Sequence, residues 1–173
     1  MKEIKNYDRA ANKFYNQLDI KSLPLNSWDL YATFFDKVCQ TGKDLFQLQN
    51  LAKLNKWSYT VDFDESLFKK EHVVVITDAQ LTIVHATQNI KSMNGYSVEE
   101  VLGKKPKMFQ GVNTCKETTK SIRTAVENKQ PFEAILLNYR KDGSTYKCWI
   151  KGEPIFSKSG EVVNFIAYEK EVA

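Results

Sequence analysis

Residues 72–87 read HVVVITDAQLTIVHAT, and the hydrophobic period of the chain changes there. Upstream, apolar residues recur every three or four positions, the spacing that lines one helix face. From His72 they form two β-branched runs, HVVVITD and LTIVHAT, separated by Asp78-Ala79-Gln80. β-Branched side chains suit a pleated, extended backbone, and a short polar break between two such runs predicts a tight hairpin. Three further strand-like segments follow, PFEAILLNYR, STYKCWIKGEPIFS and EVVNFIAYEKEV. Turn-like Lys141-Asp142-Gly143 and Lys158-Ser159-Gly160 join them. Between the hairpin and these strands lie short helices. QNIKSMNGYSVEEVLGKK breaks at Asn94-Gly95, and Ser97 with Glu100 makes a capping box for VEEVLG. CKETTKSIRTAVENKQ reads as a longer helix with Ile122, Ala125 and Val126 on one side. This order predicts an α+β fold, an antiparallel sheet with its helices gathered on one face.

Residues 1–70 read as a separate helical region of about three helices. Ile4, Tyr7, Ala11, Phe14, Tyr15 and Leu18 stripe the first, and Pro24 interrupts. Ser27 is the expected N-cap of the second, striped by Leu30, Tyr31, Phe34, Phe35 and Val38, and Thr41-Gly42 punctuates. The third carries Leu45, Leu48, Leu51, Ala52 and Leu54. So much apolar surface must pack on itself, on the sheet or on a second subunit. The sheet domain is expected over 71–173.

Composition bounds the function. A hydrophobic fraction of 42% supports a real core, and 25 basic against 21 acidic residues leave a mild charge of +4 with no clustered basic stripe. A nucleic-acid partner is therefore not expected. Three dispersed cysteines, Cys39, Cys115 and Cys148, with no C-x-x-C point to free thiols in a reducing compartment. No apolar run reaches a membrane span, so no membrane partner is expected and the chain reads as cytoplasmic.

The combination GYSVEEVLGK, FQG, NYRKDG and the G-x-V-V-N-F of the last strand resembles a PAS domain, and more narrowly its light-oxygen-voltage (LOV) branch. The likeness runs from about Glu71 to Val172. It implies a five-stranded antiparallel sheet closed by short helices around a small-molecule pocket. In photoactive LOV domains the stretch equivalent to KPKMFQ reads asparagine-cysteine-arginine-phenylalanine-leucine-glutamine, and the cysteine adds to the flavin on illumination. Here Lys105 and Pro106 stand at the asparagine and cysteine positions. Proline has no nucleophile, so this resemblance implies that the adduct cycle cannot run at this site. Gln110 and Asn138 match family polar contacts; Cys148 replaces a second asparagine and Glu169 a glutamine. Lys107, at the arginine position, could meet a phosphate. A carboxylate at Glu169 suits an isoalloxazine carbonyl poorly, because that carbonyl needs a donor.

Strand alternation then places Ala134, Leu136, Tyr146, Ile150, Val163, Phe165 and Ala167 inward with Asn138, Cys148 and Glu169. This lining suits either a filled core or a small apolar ligand, and an empty or collapsed pocket is expected. The opposite face, with Ile135, Leu137, Tyr139, Trp149, Val162, Ile166 and Tyr168, is apolar where a solvated back would alternate. Helices or a second copy of the sheet must cover it.

No catalytic constellation or metal site is expected, and His72 and His85 read as structural. Glu99 or Glu100 is expected to pair with Lys141. The chain is thus expected to be a non-catalytic PAS sensory or protein-interaction module in signal transduction, a homodimer acting on a signalling partner without its own output domain. The pocket candidates are Gln110, Asn138, Tyr146, Cys148 and Glu169. The interface candidates are Phe34, Leu137, Tyr139, Trp149 and Tyr168. No cofactor is expected, the alternative being a flavin (FMN) protein with cysteine-free photochemistry.

Overall fold

A computed structural model describes residues 26–173, and the helix expected over 1–18 with its breaker at Pro24 lies outside them. The chain divides into two units, 1–37 and Val38–Ala173, and the second contains the sheet.

Helix α1 runs from Asn26 to Leu54. The two helices expected on either side of Thr41-Gly42 are one. Gly42 keeps a negative φ, and no proline follows it until Pro106. A glycine inside a helix costs about 1 kcal/mol relative to alanine without breaking it. After a π-helical turn, Glu65–Lys69, come β1 (Val73–Asp78), β2 (Ile83–Ala86), α2 (Ile90–Asn94) and α3 (Val98–Val101). A 3-10 turn (Pro106–Phe109) leads to α4 (Lys116–Glu127), then to β3 (Phe132–Tyr139), β4 (Thr145–Phe156) and β5 (Val162–Val172). The five strands form one sheet in the order β2-β1-β5-β4-β3, with every neighbouring pair antiparallel.

The run Val73–Ile76 is apolar at every position because the sheet is covered on both faces. On the front, Val73 and Val75 join Ile83, Ile90, Val101, Phe109 and Leu136 in one core. On the back, Val74 and Ile76 join Leu48, Trp57, Phe63, Leu67, Ile155 and Ile166 in another. The back cover is therefore the chain's own Val38–Leu54 half of α1 together with the segment to Leu67. Leu48 is fully buried, and Asp44 accepts a hydrogen bond from the Gln88 amide just beyond β2 at 2.9 Å. Residues 58–70, in which sequence reading found no element, supply two of the cover's anchors, Phe63 and Leu67.

The cover is also joined to the sheet by one buried amide. Asn164 on β5 is 2% exposed. Its carbonyl oxygen accepts from Asn55 Nδ2 and Trp57 Nε1, each at 2.9 Å. Its amide donates to the Thr77 carbonyl on β1 at 3.0 Å. The Trp57 strand-like bridge to Ser157 closes the same corner.

The covering helices on the front are fixed as read. Ser97 and Glu100 form the capping box, Gly95 ends α2 in the left-handed conformation at φ 80°, and Lys141 pairs with Glu100 at 2.5 Å. Replacing Asn164 by alanine leaves a buried indole N–H and amide without their acceptor. Asn164→Ala is expected to lower the unfolding free energy by about 2–4 kcal/mol in urea titrations; a loss below about 0.5 kcal/mol would show that water replaces the joint.

Candidate functional site

The front face is not filled. A cavity of about 450 Å³ lies between the sheet and the segments 105–110 and 119–126. Such a volume suits a drug-sized molecule. Its floor is apolar, formed by Val75, Leu136, Ile150, Phe165 and Ala167. Phe132 lies across Gly152, where an added Cβ would come within 2.2 Å of the ring, and so presents its ring to the cavity.

Three buried polar side chains interrupt this floor. Glu169 (4% exposed), Asn138 (3%) and Thr77 (5%) all line the cavity. The Asn138 carbonyl oxygen and the Thr77 hydroxyl have no hydrogen-bond partner. Buried polar atoms in native proteins are nearly always paired, so both mark a place where a ligand or water completes the bonding. Glu169 accepts only the weak Cys148 thiol, at 3.8 Å. Burial pushes its carboxyl up to about 7. At neutral pH it is therefore divided between a carboxylate that accepts and a carboxylic acid that can donate.

The rim is basic. Lys105, Pro106 and Lys107 enter from the 3-10 turn and Arg123 from α4. Arg123 is held by Glu127 one helical turn on, at 2.8 Å. Sequence reading passed over Arg123 and Thr77. The signal for Arg123 was present as a cation inside the stripe Thr119, Ile122, Val126, which all line the cavity.

Of the five pocket candidates, Gln110, Asn138 and Glu169 line the cavity. Tyr146 and Cys148 do not; both are buried in the core of the same face. The Arg140 guanidinium sits 4.4 Å from the centre of the Tyr146 ring and also donates to the Met93 carbonyl and to Glu171. Tyr146 is thus covered by an arginine that ties α2 to the sheet. Burial, followed by the nearby Glu169 charge, pushes the Cys148 thiol well above its ordinary range, so it stays a thiol. None of the three cysteines lines the cavity. Val163 also departs from strict alternation and packs with the back cluster, beside the irregularity between Ile155 and Phe156.

The turn motif FQG has a direct reason. A Cβ on Gly111 would lie 2.4 Å from the Tyr139 ring, and the Tyr139 hydroxyl accepts from the Asn113 amide at 3.0 Å. Gly111 lets the loop that carries Gln110 close against β3. Among the interface candidates, Tyr139 is therefore occupied within the chain. Trp149 packs at a tilt against His72 at 5.2 Å and donates to Glu133 at 2.8 Å, Tyr168 packs with the back cluster, and Leu137 is half-buried. Phe34 is 65% exposed. His72 and His85 do not meet: His85 lies opposite Ile76, four positions along the chain from His72. Burial lowers the pKa of both. Among the described residues no group of three metal-ligating side chains forms, and no helix is long and apolar enough to cross a membrane.

The PAS domain profile matches residues 71–172. The chain belongs to the PAS domain family. This PAS chain is 36% identical over 119 residues to Protein TWIN LOV 1 of Arabidopsis thaliana, covering 66% of this chain and 30% of that one. It is 33% identical over 102 residues to a Blue-light photoreceptor of Listeria monocytogenes, covering 57% of this chain and 40% of that one. The chain thus spans less than half the length of these relatives. Among solved structures, the dark state of the Aureochrome1 LOV photoreceptor superposes with a TM-score of 0.61 at 28% identity, covering 67% of this chain and 86% of that one. A light-oxygen-voltage domain studied with a flavin analogue gives 0.59 at 30%, covering 63% and 83%. LOV domains are thus among the relatives of this PAS fold, and its five-stranded sheet with short helices is the one the motifs implied.

The raised carboxyl of Glu169 has a stability consequence with a definite sign. The folded chain holds this proton more tightly than the unfolded chain, whose carboxyl titrates near its ordinary 4.5. Its contribution is therefore greatest below that value and declines as pH rises through about 7. Asp44, raised by burial to about 6, acts with the same sign. Glu169→Gln is expected to stabilise the protein by about 1–3 kcal/mol at pH near 8 and by far less near pH 5. Urea denaturation of both proteins across this range measures it, and equal pH profiles would contradict the buried assignment.

Proposed function

We propose that this PAS chain is a non-catalytic sensory module whose cavity binds a small molecule without covalent attachment. The observation that carries this reading is the cavity itself, apolar, about 450 Å³ in volume and ended by buried polar groups that lack partners. The output surface is the opposite side of the sheet. Residues of β1 and β5 alternate between the cavity and the α1 contact, with Thr77 and Phe165 on one side and Ile76, Asn164 and Ile166 on the other. A ligand that adjusts either strand adjusts the seat of α1, and the population of α1 arrangements shifts with occupancy. Phe34 and Phe35, 65% and 59% exposed on α1, are the surface offered to a second copy or a signalling partner.

A flavin is the second reading, favoured by a specific set of groups. Gln110, Asn138 and Thr77 could meet its polar edge, and Lys107 and Arg123 at the rim could meet the phosphate of FMN. Glu169 fits that edge in its protonated form, which donates as a glutamine amide would. A bound flavin would supply a blue-absorbing chromophore. With Pro106 on the cavity wall and no cysteine lining it, the protein's own part is to bind and orient, and no thiol is placed to add to it.

Two measurements on the purified chain separate these readings. Native against denaturing mass spectrometry is expected to reveal a non-covalent small molecule lost on unfolding, or a vacant protein that gains thermal stability with one member of a metabolite panel. An absorption spectrum identifies a flavin by its banded blue absorption. A vacant protein with no stabilising metabolite would contradict the sensory reading.

A further inference from the structure

The inner wall of the cavity offers a carboxyl group and an unpaired amide oxygen beside the Thr77 hydroxyl, and holds no cation. Glu169 on β5 uses one carboxylate oxygen for the Cys148 thiol, and the carboxyl group lines the cavity. Two strands away on the same face, the Asn138 carbonyl oxygen has no partner. The charged groups that line the cavity besides Glu169 are Lys105, Lys107 and Arg123, and they come from the 3-10 turn and α4 at the rim. Cys148 and Tyr146, on β4, are the titratable groups packed around Glu169 on the sheet. Both histidines belong to other surroundings: His72 packs at a tilt against the Trp149 and Tyr168 rings, and His85 lies opposite Ile76 of the back cluster.

A carboxyl group buried at 4% exposure without a cation is an unfavourable arrangement, and it becomes favourable when a partner brings N–H donors. A ligand carbonyl in the same place would face acceptor on acceptor unless Glu169 first took up a proton. The surrounding walls are apolar and the space is of ring size. We propose that the cavity takes an apolar ring compound bearing an amino or amidino group, whose N–H donors meet Glu169 and Asn138. This rests on the small-molecule reading above and adds the chemical class. A charge-assisted N–H to carboxylate bond in such a site is roughly twice as strong as a neutral one, so this contact decides selectivity.

The test uses the full chain and two fluorescent dyes with one ring skeleton, aminoacridine and acridine. Fluorescence titration at pH near 8 is expected to give aminoacridine about tenfold tighter binding than acridine. Glu169→Gln should reduce that ratio to within about twofold. A readout that needs no variant accompanies it. In the wild-type chain the ratio should fall as pH drops below about 7, where Glu169 takes up its proton. Equal binding of both dyes, with no change on Glu169→Gln and none with pH, would overturn the proposed class and leave the small-molecule reading standing. Binding of neither dye would overturn both.

Discussion

The sheet of this protein is loaded on both faces, and the side chain of Asn164 is where the two loads meet. It takes hydrogen bonds from Asn55 and Trp57 beyond the end of α1 and gives one to the Thr77 carbonyl. Thr77 itself lines the cavity on the other face. One buried amide therefore connects the back cover, β5, β1 and the cavity wall. In a dry environment such bonds are costly to leave unmade, so they hold the corner together.

That constraint explains why the molecule can keep an open front. The back core of Leu48, Trp57, Phe63, Leu67, Val74, Ile76, Ile155 and Ile166 is closed and well packed, and it holds the sheet's shape without help from the cavity side. The front instead relies on its perimeter. Arg140 ties the end of α2 to β3 and β5, Lys141 ties α3 to the sheet, and Tyr139 seats the loop at Gly111. With the rim fixed in this way, the centre is free to receive a ligand, and its few polar groups set what that ligand must offer.

Much of this was legible in the residues. The change of period at His72 located the sheet, the capping box at Ser97 and the left-handed Gly95 located α2 and α3, and alternation assigned nearly every side chain of β3, β4 and β5 to its face. The unbroken apolar run Val73–Ile76 read as a β-branched strand, and the structure shows it buried on both sides. What was not legible depends on distance and volume. Alternation put Cys148 and Tyr146 on the cavity face, yet whether a side chain reaches the open space or the core beside it depends on the spacing of α4 from the sheet. Gly42 read as a stop because local propensity is weak against the tertiary packing of Leu45, Leu48 and Leu51 around it. Residues 58–70 showed no regular period, and their anchors Phe63 and Leu67 are irregularly spaced because they follow the shape of the sheet's back.

The central claim is that the cavity and α1 act on one another through the sheet. Hydrogen–deuterium exchange at the amides of Asp44–Leu54, compared between the wild-type chain and Ala167→Leu, tests it most directly, because Ala167 lines the cavity and lies next to Ile166 of the back core. Filling the cavity is expected to slow exchange in this half of α1 by roughly threefold or more, the signature of a change in local opening free energy. Exchange in α1 that is identical in the two proteins, with altered exchange confined to α4 and the 3-10 turn, would contradict the claim.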